Sequence, residues 1–130
     1  MSGSYRDLKA WQKGIELVVE IYASTRTFPK DEVYGLAGQL RRAAVSVPSN
    51  IAEGKGRSTD KELVLFLHHA RGSIFEVETQ VTVAGRLGYI TQARMDRLED
   101  LSGEIAKMLN GLIKAVKSTG LEKTGEELVA

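Results

Sequence analysis

Between residues 63 and 84 the apolar side chains Leu63, Leu67, Ala70, Ile74, Val77, Val81 and Ala84 recur at steps that alternate between four and three, with Leu87 ending the run. This is the spacing of a seam along which helices of a bundle meet, and a strand with its period of two cannot produce it. Thr59 with Glu62 three residues on reads as a capping box ahead of the seam, and Gly88 reads as its stop. From 60 to 87 such a helix would be about 42 Å long. A helix with one apolar stripe must bury it against other elements, so the rest of the chain has to supply partners.

Three further segments carry the same period. The first reads Leu8, Trp11, Ile15, Val18, Tyr22, with Ser4 and Asp7 as a capping box before it and Phe28-Pro29 closing it. The second reads Leu36, Leu40, Ala43, Val47, Ile51. Asp31 and Glu32 suit its positive N-terminal end, and Gly54 and Gly56 suit its stop. Pro48 lies inside this second pattern. It has no N–H and clashes with the carbonyl of Ala44, which predicts a kink or local break over 44–48, with Ser46 capping the restarted half. The fourth reads Leu98, Leu101, Ile105, Met108, Leu109, Leu112, Val116, with Thr91 as its cap. The connections are short, about five, five and three residues, and short links make successive helices antiparallel neighbours. The prediction is an all-α, antiparallel, up-down-up-down four-helix bundle with helix two kinked near Pro48. It occupies residues 1–118 as one domain, followed by a flexible C-terminal tail over 119–130, where two glycines and four charges replace the period.

The chain of 130 residues has no cysteine, which removes disulfides, thiolate nucleophiles and thiolate metal sites together. Lys and Arg number 18 against 17 Asp and Glu, a net charge of +1 that is neither a strongly basic nucleic-acid domain nor an acidic tail protein. No apolar run approaches the roughly 20 residues that span a bilayer, and the N-terminus lacks the core of a signal peptide. The expected location is cytoplasmic, with no membrane partner.

Catalytic patterns fail on spacing. Di-iron bundles need Glu-x-x-His on two helices, but His68 and His69 are adjacent, and residues 65 and 66 are Leu and Phe. Neighbouring helical residues point about 100° apart, so the two imidazoles cannot share a metal on the bundle axis. Helical-bundle ribonucleases with an Arg four to six residues before a His also fail, since the nearest upstream arginine is Arg57. Gly54-Lys55-Gly56-Arg57-Ser58 follows a helix rather than a strand and lacks a phosphate loop's ending. It reads as a helix stop or as an anion contact, with Lys55, Arg57 and Lys61 beside the N-terminus of helix three. Glu76 and Glu78 face different sides of helix three. Asn50 and Glu53 share a face beside Ile51, and with Glu76 they are the candidate structural polar network or a partner-binding pair. The expectation is no catalytic residue, no metal, no cofactor and no enzymatic activity.

Apolar residues extend beyond the seams: Leu17 and Val19 on helix one, Val64, Phe66 and Phe75 on helix three. A helix apolar over a wide arc is buried on more than one side, which in a single four-helix bundle leaves a patch for a partner. Glycines inside helical patterns (Gly14, Gly38, Gly72, Gly85, Gly103) fit close helix approach. Both features predict a homo-oligomer.

The run Tyr34-Gly-Leu-Ala-Gly-Gln-Leu-Arg-Arg-Ala-Ala-Val-Ser-Val-Pro-Ser-Asn-Ile-Ala-Glu-Gly54 resembles the hallmark of the 23S rRNA intervening-sequence proteins, also called four helix bundle proteins. Leu8-Lys-Ala-Trp-Gln-Lys, Phe66-Leu-His-His-Ala-Arg-Gly-Ser73, Glu76, Glu78-Thr-Gln80 and Leu87-Gly-Tyr-Ile90 agree in the right order, over roughly residues 5–117. The resemblance implies an antiparallel four-helix bundle, assembly into homopentameric rings, and no attached enzymatic activity. It also relates the chain to the accessory protein of diversity-generating retroelements, a basic pentamer that binds a reverse transcriptase and nucleic acid. Two departures stand out. The net charge is low, although residues 1–118 alone hold 17 basic and 14 acidic residues, and five copies of that unit sum to about +15. His68-His69 stand where an aromatic and an aliphatic residue are expected.

The leading expectation is therefore a non-enzymatic homo-oligomeric scaffold. It binds RNA or a reverse-transcriptase-like protein through phosphate contacts from Arg41, Arg42, Lys55, Arg57, Lys61 and Arg71. The alternative is a protein-interaction module without nucleic acid. A small hydrolase using His68 or His69 rests only on the histidine pair.

Overall fold

The computed structural model describes the backbone of residues 3–129 and the side chains of residues 3–119. The helices are α1 (Lys9–Thr25), α2 (Leu36–Lys55), α3 (Asp60–Arg86) and α4 (Gln92–Val129). They pack in chain order and close on themselves, α1 against α2, α2 against α3, α3 against α4 and α4 against α1. Pairings along each seam run in opposite directions. Gly14 meets Pro48 and Thr25 meets Arg41 between α1 and α2; Ser46 meets Ser73 and Gly54 meets Phe66 between α2 and α3. Gly85 meets Met95 and Arg71 meets Asn110 between α3 and α4, and Glu20 meets Arg94 between α1 and α4. This is the antiparallel four-helix bundle that the periodicity predicts.

The seam of α3 is placed as its spacing requires. Leu67, Ala70, Ile74, Val77, Val81 and Ala84 are buried and Leu63 is half-buried, while Leu87 lies past the helix and is exposed. Thr59 Oγ1 accepts from the Glu62 N–H at 3.2 Å, and Thr91 Oγ1 accepts from the Arg94 N–H at 3.1 Å, so both expected caps form. Gly88 has φ of 76°, with its N–H on the Gly85 carbonyl and the Tyr89 N–H on the Ala84 carbonyl. That is a Schellman stop, and it needs a residue without a Cβ penalty at this φ. It also sets Tyr89 against Phe28, ring centroids 5.2 Å apart, which ties the α3–α4 turn to the start of the α1–α2 connection.

Helix one departs from the expectation by one residue. Its buried face is Ala10, Gly14, Leu17, Ile21, whereas Trp11 and Val18 are half-buried and Ile15 and Tyr22 are exposed. Two apolar stripes lie side by side on α1, and a shift of one residue turns a helix by about 100°. The stripe with Ala10 and Gly14 faces the core because its small side chains let α1 approach α2 closely. A Cβ at Gly14 would stand 3.3 Å from Pro48 Cβ.

The ends of α1 and α2 also differ. Ser4 caps a separate 3-10 turn over Tyr5–Asp7 by accepting from the Arg6 N–H, so no capping box joins it to Asp7 at the start of α1. Asp31 and Glu32 belong to another 3-10 turn, Lys30–Glu32, which lengthens the first connection to residues 26–35. Glu32 still reaches forward, its Oε1 accepting from the Leu36 N–H at 3.2 Å, so a carboxylate serves the start of α2 as expected. Helical backbone continues through Pro48 without a break. Ser46 does not cap a restarted half: its hydroxyl bonds the Ala43 carbonyl and Ser73 Oγ. The helical backbone of α4 extends to Val129, through the tail expected over 119–130, whose side chains from 120 on lie outside the described residues.

Candidate functional site

The six basic residues singled out in the sequence separate into two groups and a lone Arg71 in the middle of α3. Arg41 and Arg42 sit early in α2, while Lys55, Arg57 and Lys61 sit at the α2–α3 turn, about 20 Å away along the helix. Arg41 is half-buried: its Nε–H donates to Thr25 Oγ1 at 2.9 Å and its guanidinium carbon lies 4.9 Å from the Tyr22 ring centroid. It is a clasp between α1 and α2. Arg42 beside it is exposed. Arg57 pairs with Glu53, Nη2 to Oε1 at 2.8 Å, and lies over the Phe66 ring at 4.7 Å. Lys55 is half-buried at the end of α2.

Lys61 lines a shallow depression of about 250 Å³ between α3 and α4 with Asp60, Val64, Val116 and Lys117. Farther along the same groove Arg71 Nη1 donates to Asn110 Oδ1 at 2.9 Å. His68 lies between them on α3, half-buried. Burial first, then the positive charges of Arg71 and Lys117 and the neighbouring His69, hold its imidazole below the usual histidine value. His69 points elsewhere, exposed and against Phe66 with ring centroids 5.7 Å apart. Among the described residues no group of three or more His, Asp and Glu side chains is arranged to hold a metal ion.

The three residues named as a polar network are not bonded to one another. Asn50 Nδ2 donates to the Ser46 carbonyl at 2.7 Å, Glu53 holds Arg57, and Glu76 is exposed on α3. The polar side-chain contact between α2 and α3 is instead the half-buried hydroxyl pair Ser46–Ser73.

Sequence reasoning missed two features. One is an ion cluster across α1 and α4. Arg94 meets Glu20 at 2.7 Å, Arg97 meets Glu16 at 2.9 Å and Glu20 at 3.5 Å, and Lys13 meets Glu16 at 3.4 Å and Glu104 at 3.8 Å. Its signal was present as Lys13, Glu16 and Glu20 at steps of three and four. The other is the make-up of the outward apolar face, which was expected to include Val19 and Phe75 but also takes in Ile15 and Tyr22, read as core, whereas Leu17 is buried. Val19 is 63% exposed, Tyr22 42%, Ile15 39% and Val45 39%. Trp11, Ile15, Val18, Val45 and Pro48 line a depression of about 280 Å³ between α1 and α2. A second apolar strip lies on the outer side of α3 and just past it, with Phe75, Val83 and Leu87 all exposed.

The 23S rRNA-intervening sequence protein family matches the chain over residues 6–111. Among solved structures, a crystal structure from Bacteroides thetaiotaomicron, described as a protein with unknown function from the S23 ribosomal protein family, superposes with a TM-score of 0.74. It is 24% identical and the alignment covers 81% of this chain and 95% of that one, a likeness that speaks to the fold. No curated protein matches. No helix of the described residues is long and apolar enough to cross a membrane.

Proposed function

The chain belongs to the 23S rRNA-intervening sequence protein family, and from that premise we propose that it is a non-enzymatic scaffold, a homopentameric ring of helical bundles that binds nucleic acid or a nucleic-acid enzyme. The observation that carries the reading is the outward apolar face of α1 and α2. Residues periodic enough to be read as a core seam, Trp11, Ile15, Val18 and Tyr22, lie half-buried or exposed around an open depression. A surface of this kind marks an interface. The exposed strip on α3, Phe75 and Val83, with Leu87 just beyond the helix, is a different surface. Two unlike surfaces that join head to tail give a cyclic assembly when the rotation closes.

Solution mass by light scattering tests the ring. A mass about five times the 14.2 kDa chain is expected. A single-chain mass at micromolar concentration overturns it. The nucleic-acid half of the reading is tested by titrating RNA at rising salt. Phosphate contacts predict an affinity that falls steeply with log salt, and absence of binding at low salt removes that half.

A further inference from the structure

We infer that the groove between α3 and α4 is a docking track for a phosphodiester backbone, formed by Lys61 and Arg71 on one side and Lys107, Lys114 and Lys117 on the other, with His68 between them. The inference rests on the nucleic-acid part of the proposed function and assigns it to one face.

On α3 the residues Lys61, Val64, His68 and Arg71 recur at steps of three, four and three, and on α4 Lys107, Asn110, Lys114 and Lys117 recur at the same steps. Each set therefore lies on one side of its helix. The helices are antiparallel, so the two rows run past each other. Arg71 bonds Asn110, the charge of Lys117 reaches His68, and Lys61 and Val64 share a depression with Val116 and Lys117. Asp60 is the one acidic residue lining that depression. The row on α3 is about 15 Å long, room for a few consecutive phosphates of one strand.

The cations of the track have no carboxylate partner among the described residues, which they share with Arg26, Lys30 and Arg86, and their arrangement in two facing rows sets them apart. Arg57, Arg94, Arg97 and Lys13 are held in ion pairs, and Arg41 is spent on Thr25 and Tyr22. Among the described residues, Lys61, Arg71, Lys107, Lys114 and Lys117 take part in no ion pair. Their mutual repulsion is therefore relieved by an anion. His68 faces Arg71 and His69 on its own helix and Lys117 on α4, and after burial these charges disfavour its protonated form. A phosphate between Arg71 and Lys117 reverses the sign of its surroundings and draws a proton onto it.

The test measures binding of a fluorescent single-stranded RNA of about 20 nucleotides at several salt concentrations, at pH 7.5 and 5.5. One variant carries Lys61→Gln, Arg71→Gln and Lys117→Gln. A second removes the same charge elsewhere, through Arg26→Gln, Lys30→Gln and Arg86→Gln, all exposed positions. Thermal unfolding and solution mass verify that both are assembled as the parent is. The first variant is expected to lose about two to three from the salt slope, the second much less. Equal losses in both overturn the assignment to this groove while leaving nucleic-acid binding intact, whereas no binding by the parent removes the proposed function itself. The parent's salt slope is expected to steepen by about one at pH 5.5. That gain disappears in His68→Gln and persists in His69→Gln; its persistence in His68→Gln overturns the role given to His68.

Discussion

Gly14 of α1 lies directly on the ring of Pro48 of α2, where a Cβ on the glycine would stand 3.3 Å from Pro48 Cβ and 3.4 Å from Pro48 Cδ. Each residue is poor inside a helix by itself, glycine by about 1 kcal/mol and proline by about 3 relative to alanine. Together they bring two backbones close and select which face of α1 is buried. Trp11, Ile15 and Tyr22 are left outside because Ala10, Gly14, Leu17 and Ile21 fit α2 better.

Glycine substitutions should therefore divide by location. Gly14→Val adds carbons against a rigid proline ring and is expected to lower stability by about 1–3 kcal/mol. Gly54→Ala is expected to do the same, since its Cβ would stand 2.7 Å from Phe66 Cβ. Gly72, on the exposed side of α3, has nothing within 4 Å, and Gly72→Ala should gain up to about 1 kcal/mol of helix propensity. Urea unfolding of the three variants measures the ordering, and a Gly72→Ala less stable than Gly14→Val contradicts it.

The outward face of α1 gives a prediction about assembly. Val19 is among the most exposed large apolar residues, so Val19→Glu should leave the helical signal and the unfolding cooperativity of the bundle intact. In an assembled ring the same change buries a charge without a partner, a cost of several kcal/mol. Light scattering should show the mass collapsing to one chain. A Val19→Glu protein that keeps the parent's mass places the interface elsewhere.

How much could be read from residues alone follows from this same helix. The seam of α3 was legible because a single apolar stripe with a capped start and a glycine stop admits one orientation. Helix α1 carries two adjacent stripes, and side-chain size against α2, which no one-dimensional period encodes, decides between them. The α1–α2 connection was read short because Asp31 and Glu32 were assigned to the first turn of α2, whereas they form their own 3-10 turn and only the Glu32 side chain reaches the helix. Arg71 and Lys61 were legible as cations. Their opposite wall of Lys107, Lys114 and Lys117 was not, because it requires the antiparallel register of α3 on α4. The polar network assigned to Asn50, Glu53 and Glu76 used spacing along one helix, while the bond that crosses to α3 comes from Ser46 and Ser73.

The ion cluster on the α1–α4 seam should matter modestly. The Glu20 side chain is 23% exposed and that of Arg94 is 39% exposed. Partly screened pairs of this kind contribute about 0.2–1 kcal/mol. A double-mutant cycle with Glu20→Gln and Arg94→Gln, read by thermal unfolding, should give a coupling in that range that shrinks as salt rises to about 1 M. A salt-independent coupling would mean the pair is shielded by something beyond this chain.

Ser102 presents the reverse case, a polar group whose removal should help. Its side-chain oxygen is buried and has no hydrogen-bond partner among the described residues, and the residue is 0% exposed. A buried hydroxyl without a partner costs about 1–3 kcal/mol. Ser102→Ala keeps the volume nearly unchanged and improves helix propensity, so the variant should be more stable than the parent. Ser73→Ala, which strips Ser46 of its cross-helix partner, should be less stable. A calorimetric midpoint that falls in Ser102→Ala would show that the hydroxyl is satisfied in the assembled protein.

His68 should make stability depend on pH in one direction. Burial, Arg71, Lys117 and His69 disfavour its charged form in the folded chain, so its folded value lies below the ordinary 6.5 of an unfolded histidine. Between those two values the unfolded chain binds more protons than the folded one, and stability then rises with pH. The contribution is present above the unfolded value and is lost as pH falls through the folded one. The ring proton signals of His68 should therefore titrate below the ordinary histidine value. Lys117→Gln removes one of the opposing charges and should move the His68 midpoint upward. His68→Gln should flatten the part of the urea-midpoint profile below pH 7 that the imidazole produces. A His68 midpoint at or above 6.5 in the absence of nucleic acid would show that the cationic walls of the groove are already neutralised.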